Sequence, residues 1–95
     1  MKITLDKQAT KWFQDEVGVK AGDSVRFFGK YGGSSPIQHG FSLGVELTEP
    51  HQPIAEAKED GITYFVEEID AWYFDGHDLL VEYDETLQEP KYEYA

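Results

Sequence analysis

At 95 residues and with no cysteine, the chain has room for one small domain, 1–95, and none for disulfides, thiolate-bound metal or thiol chemistry. Nineteen acidic against eight basic residues give a net charge of −11. Phosphate-backbone and anionic-membrane binding both need clustered Lys and Arg, so neither nucleic acid nor a membrane is an expected partner.

The acidity is uneven. Residues 1–45 carry six Lys/Arg against four Asp/Glu, whereas residues 46–95 carry only Lys58 and Lys91 against fifteen acids. Solubility is the simpler account of that excess, and a docking face for a basic partner is the sharper one. Six Phe, six Tyr and two Trp can supply much of a small core, so a folded domain is expected despite the charge. The chain shows neither a charged leader followed by an apolar stretch nor a run long enough to cross a bilayer, and a cytoplasmic location is expected.

Ile3-Thr4-Leu5 alternates as a short strand, and Asp6 is a helix N-cap whose carboxylate can accept backbone N–H groups of the first turn. Ala9, Trp12, Phe13 and Val17 recur at three- and four-residue spacing and predict a helix ending near Gly18. A turn at Ala21-Gly22-Asp23 leads to a strand over Ser24–Lys30. Tyr31–Gly44 reads as a shaped loop, with two adjacent glycines, a Ser-Ser-Pro step and a histidine. Phe41–Leu47 then alternates, so the loop joins the two strands of a hairpin. Thr48–Asp60, polar and holding Pro50 and Pro53, reads as a surface connection. Asp60-Gly61 signals a turn, and Ile62–Val66 is a strand.

Glu67–Phe74 reads as a short helix with Ile69, Trp72 and Tyr73 inward, and with Glu67 and Glu68 suiting its positive N-terminal end. Gly76 ends it, Asp78–Tyr83 is a further strand, and Lys91–Tyr94 is a candidate edge strand. The order β-α-β-β-β-α-β, with antiparallel hairpins and two short helices, defines an α+β fold.

At this point the chain resembles the HesB/IscA-like family, the A-type carriers of iron–sulfur cluster assembly. ITLDKQATKWFQDEV is similar to that family's opening strand and helix, SVRFFGKYGG to its strand running into a glycine pair, and GFSLGVEL to its GFSYGLEL-type strand. GITYFVEEIDAWYFDGHDLLVEY resembles its later strand, helix and strand. The resemblance implies that family's small β-rich fold. Cluster-carrying members place a cysteine after the glycine pair and a Cys-x-Cys pair near the C-terminus. Here Ser34 follows Gly32-Gly33 and the chain ends QEPKYEYA, so this would be a cysteine-free branch, with no cluster or other cofactor expected.

The residues chosen as a ligand-binding loop are Gly32, Gly33, Ser34, Ser35, Gln38 and His39. The glycines could form a nest of N–H groups for an anion, but the phosphate-loop spacing and following helix are missing. Glycines that permit positive φ, with Pro36 stiffening the turn, give the simpler account. His39 is the candidate metal ligand, with His51, His77 or carboxylates as partners, although the spacing matches no metal motif. A serine nucleophile lacks the GxSxG elbow, and no enzyme activity is expected. Tyr31, Phe41, Tyr73, Tyr92 and Tyr94 are candidates for an exposed aromatic surface, and Tyr92 and Tyr94 on an edge strand would suit a homodimer. The expected function is therefore a cysteine-free relative of iron–sulfur biogenesis proteins that binds a protein or small ligand. The alternatives are iron or zinc binding through His39 and an acidic adaptor for a basic protein.

Overall fold

The computed structural model describes all residues, Met1–Ala95, as an α+β domain of seven strands in two mixed sheets with two short helices. Strand β1 (Ile3–Leu5) leads to α1 (Lys7–Trp12). The Asp6 carboxylate accepts the Ala9 N–H at 2.7 Å, the capping bond that the sequence suggested. Phe13–Val17 continues α1 as a wider π turn, closed by Gly18 at φ 85°. Ala9 and Phe13 are buried, but Val17 is exposed because the widened turn rotates it off the apolar stripe.

Strands β2 (Ser24–Ser34) and β3 (His39–Leu47) form a long antiparallel hairpin, β4 (Pro53–Glu59) and β5 (Ile62–Glu67) a second. They assemble in the order β3-β2-β5-β4, with β2 and β5 parallel. A 3₁₀ turn, Glu68–Asp70, and α2 (Ala71–Phe74) follow, then β6 (Leu79–Asp84) and β7 (Glu89–Tyr94). Strand β6 lies between β1, to which it is parallel, and β7, to which it is antiparallel.

The core is the alternating face of these strands. Val25, Phe27, Ile62, Tyr64, Val66, Leu79 and Val81 are wholly buried with Phe13, Tyr73 and Phe74. Phe13 meets Phe27 and Tyr64 edge-on at 6.1 and 5.6 Å, a favoured aromatic arrangement. Tyr73 and Tyr94 share a hydroxyl–hydroxyl bond of 2.8 Å.

Three expectations are corrected here. Most of Tyr31–Gly44 is strand: β2 runs on to Ser34, β3 begins at His39, and only residues 35–38 connect them. Thr48–Asp60 is not merely a connection, since it contains edge strand β4, and Pro53 sits at its first position, where a missing N–H costs little. Ile69 and Trp72 point outward, 72% and 49% exposed, because the segment is a 3₁₀ turn followed by a single α turn, and the 3.6-residue stripe never develops. Strand β7 is present as expected, but Tyr92 packs against Phe27 at 6.0 Å and Tyr94 bonds to Tyr73. Both rings are partly buried against the core.

Candidate functional site

The glycine-rich end of the β2–β3 hairpin is a structured bulge. Pairing runs regularly from Val25 opposite Leu47 to Tyr31 opposite Phe41, then shifts before Ser34 pairs with His39. Gly32, Gly33 and Gly40 take φ of 107°, 69° and 84°, which a side chain would resist. The tip closes on itself: the Ser35 N–H donates to the Gln38 carbonyl at 3.2 Å, and the Gln38 N–H donates to Ser35 Oγ at 3.1 Å. Ser34 and His39 remain exposed. None of the three surface depressions involves residues 31–44; they lie at α1 and at the turns before β2 and after β3.

No group of three or more His, Asp or Glu side chains converges to hold a metal. His39 stands on the hairpin, His51 precedes β4 and His77 follows α2. The acidic residues that are buried have structural partners. Glu67 accepts the His51 and Gln52 N–H groups at 3.0–3.4 Å and so fixes the entry to β4. Asp70 is held by Arg26. Glu67 had been read only as a helix-end charge, and Asp70 had been given no role.

The hairpin end assembles an aromatic row on the core-facing side of the sheet, partly exposed where it runs past the edge of the core. Register places Tyr31 opposite Phe41, with ring centroids 5.7 Å apart, and Phe41 meets Trp72 of α2 edge-on at 4.9 Å. Trp72 in turn stands 6.0 Å from buried Tyr73. Tyr31 is 86% exposed, Trp72 about half exposed, and Ile69 projects from the same turn-helix segment. Gln38 Nε2 donates to the Trp72 carbonyl at 3.1 Å, linking the tip to α2. On the core side Gly29 admits Tyr73 so closely that a Cβ there would lie 2.7–2.8 Å from its Cβ and ring atoms.

Partly exposed large rings joined in a row make a candidate interaction surface, since isolated surface apolar residues are ordinary but contiguous ones are not. The chemistry available is apolar contact, with exposed Ser34 and His39 on the same hairpin end and exposed Glu68 and Asp75 flanking Ile69–Phe74 in the chain. Sequence spacing could suggest Tyr31 and Phe41. Trp72 and Ile69 were missed because their exposure depends on the 3₁₀ geometry.

The fold and site define a small α+β protein whose notable feature is a surface and not a pocket. The chain belongs to the family that includes a Bacillus subtilis (strain 168) protein named pyruvate dehydrogenase inhibitor, to which it is 50% identical over 94 residues, 99% of each chain. An uncharacterised protein of Staphylococcus saprophyticus is 34% identical over 95 residues, 97% of each chain, and one of Staphylococcus haemolyticus 35% over 86 residues, 86% of each. No family model and no solved structure matches. The assignment to the HesB/IscA-like family is therefore corrected, and with it the iron–sulfur biogenesis function and its metal-binding and acidic-adaptor alternatives: the half-identical, full-length relative bears an inhibitor's name. No helix is long and apolar enough to cross a membrane.

Proposed function

We propose that this chain is a non-catalytic regulator that binds and inhibits pyruvate dehydrogenase. The carrying observation is the 50% identity over 94 residues to the Bacillus subtilis protein named for that inhibition. Identity of this level over 99% of each chain supports a common fold for the two proteins. The row Tyr31–Phe41–Trp72 is the surface assigned to the enzyme, because aromatic anchors supply most of the free energy of protein interfaces. Ser34, Gln38 and His39 border that row and supply its polar contacts.

The test is the rate of NADH formation from pyruvate by purified pyruvate dehydrogenase as the chain is added. A saturable fall in rate supports the reading. An unchanged rate at a hundredfold molar excess overturns it.

A further inference from the structure

Four strands lie at sheet edges, and three of them are guarded. Strand β1 is three residues long and lies near β4 of the other sheet. Strand β4 also begins with Pro53, has a bulge between Pro53 and Ala55 and carries Lys58. Strand β7 lies near α1, holds Pro90 and alternates Lys91 and Glu93 outward. Short length, proline, bulges and charged side chains are the usual devices against edge-to-edge pairing.

Strand β3 has almost none of them. It is nine residues long, HGFSLGVEL, with no proline or lysine and a single acid, Glu46. Its extensive packing is with β2 alone. Its inward row is Phe41, Leu43, Val45 and Leu47, opposite Tyr31, Gly29, Phe27 and Val25. Val25 and Phe27 are wholly buried, yet Val45 and Leu47 are 36% and 49% exposed. The apolar layer thus continues past the point where this chain covers it.

We infer that β3 is a homodimer interface, in which two copies pair antiparallel about a two-fold axis at Gly44 and join their four-stranded sheets into one of eight strands. The regular part of β3 is 41–47, bounded by the register shift beyond Tyr31/Phe41, and its centre is Gly44. Pairing about that centre sets Leu43 opposite Val45, Phe41 opposite Leu47 and Ser42 opposite Glu46. No like charges are opposed, and His39 approaches Glu49 of the second copy. Centring on Glu46 would oppose two carboxylates, which cross-strand pairing disfavours. On the outer face the Phe28 ring already covers Gly44, since a Cβ there would lie 2.6 Å from the ring, and the one charged residue of that row, Glu46, is neutralised by Arg26 of its own chain at 3.2 Å. The interface is isologous, as a two-fold dimer requires.

The net charge of −11 per chain opposes association, but the excess lies outside β3. Salt therefore strengthens this dimer by screening the general repulsion. Sedimentation velocity of the full chain over a concentration series, at low and high NaCl, should give a monomer–dimer equilibrium whose dissociation constant falls severalfold with salt. Val45→Lys, which places a charge on the seam, should leave the chain monomeric. Because the chain lacks cysteine, a register test is clean. An equal mixture of Ser42→Cys and Glu46→Cys chains should crosslink as a heterodimer under mild oxidation, while either alone should not, since directly opposed Cα atoms lie about 4.5–5.5 Å apart, within disulfide reach. A monomer at every concentration overturns the proposal. So does crosslinking that does not depend on the mixture, or a β3 edge that becomes protected from hydrogen exchange only when pyruvate dehydrogenase is added. The test does not depend on inhibition, so its failure is separate from failure of the functional reading.

Discussion

Arg26 of β2 grips Asp70 of the 3₁₀ turn through a forked ion pair, with Nε donating to Oδ2 and Nη2 to Oδ1, each at 2.9 Å. Forty-four residues separate them in sequence, so the pair ties the start of the α2 segment to the face of the sheet. The same guanidinium reaches Glu46 at 3.2 Å and lies 4.9 Å from the Phe28 ring centre. Burial opposes the Arg26 charge, and Asp70 with Glu46 outweighs that opposition and holds its pKa above the usual arginine value. Asp70 is almost wholly buried, so Asp70→Ala removes the forked partner of Arg26, leaves it only the exposed Glu46, and should destabilise the fold by about 2–3 kcal/mol. Urea unfolding measures this. The double variant Arg26→Leu/Asp70→Leu should recover much of the loss, because it removes both charges of the pair together. A loss equal to the sum of the two single variants would refute the coupling.

The aromatic row separates function from stability. Tyr31 is the most exposed large side chain on the hairpin, so Tyr31→Ala should change unfolding free energy by no more than about 0.5 kcal/mol. The same substitution should weaken inhibition of pyruvate dehydrogenase at least tenfold, as loss of an aromatic anchor does, with the double variant Tyr31→Ala/Trp72→Ala weaker still. Inhibition titrations alongside thermal melts check both halves. Full inhibition by the folded double variant would move the binding surface elsewhere.

Gly29 tests how closely α2 must sit on β2. It lies in a regular strand with no positive φ, so the glycine is required by space and not by backbone conformation. Gly29→Ala drives a methyl group to within 2.8 Å of the Tyr73 Cβ, which cannot swing aside without moving α2. A destabilisation of about 1–3 kcal/mol follows from overpacking of this kind. Trp72 rides on the displaced helix, so its fluorescence and the inhibition should change together. An unaltered melting temperature would argue against the close contact.

These residues also show what was legible in the sequence. Period-two alternation marked β3, the shared face of Val25 and Phe27 marked β2, and runs of strand-forming residues bounded by turn signals marked β5, which is buried on both sides, and β6. The Asp6 cap and the Gly18 stop bounded the first helix. Strand β4 escaped notice because its inward residues are only Ala55 and Ala57, which give no apolar contrast, and two prolines precede or open it. The glycines concealed the length of the hairpin, since Gly32 and Gly33 bend β2 without ending it. The six residues Gly32, Gly33, Ser34, Ser35, Gln38 and His39 fall at the end of the β2–β3 hairpin. They did not convey the aromatic row, which depends on β2–β3 register and on the fold-back of α2. Nor could they separate a glycine-rich hairpin from a ligand loop, since both need the same backbone freedom.

Alkaline stability follows from the buried tyrosines. Burial pushes the Tyr92 hydroxyl up to about 12, with the Glu89 charge adding to the effect. Tyr64 is likewise held up to about 12 by burial and by Asp60 and Glu59, and its hydroxyl has no hydrogen-bond partner. Tyr94 is raised further still, by burial first and then by its bond to Tyr73. An unfolded tyrosine ionises near 10. The folded state therefore keeps these protons where the unfolded state releases them, and linkage makes stability fall as pH rises from about 10 through 12. Below about pH 10 the contribution is complete and flat. Denaturant midpoints between pH 8 and 12 should hold level and then drop, with tyrosinate absorbance of these residues appearing only as the fold is lost. Tyr94→Phe removes the most strongly raised group and its bond to Tyr73, so it should lower stability at neutral pH by about 1 kcal/mol while making the alkaline decline shallower. An unchanged alkaline slope in that variant would show that Tyr94 does not govern the transition.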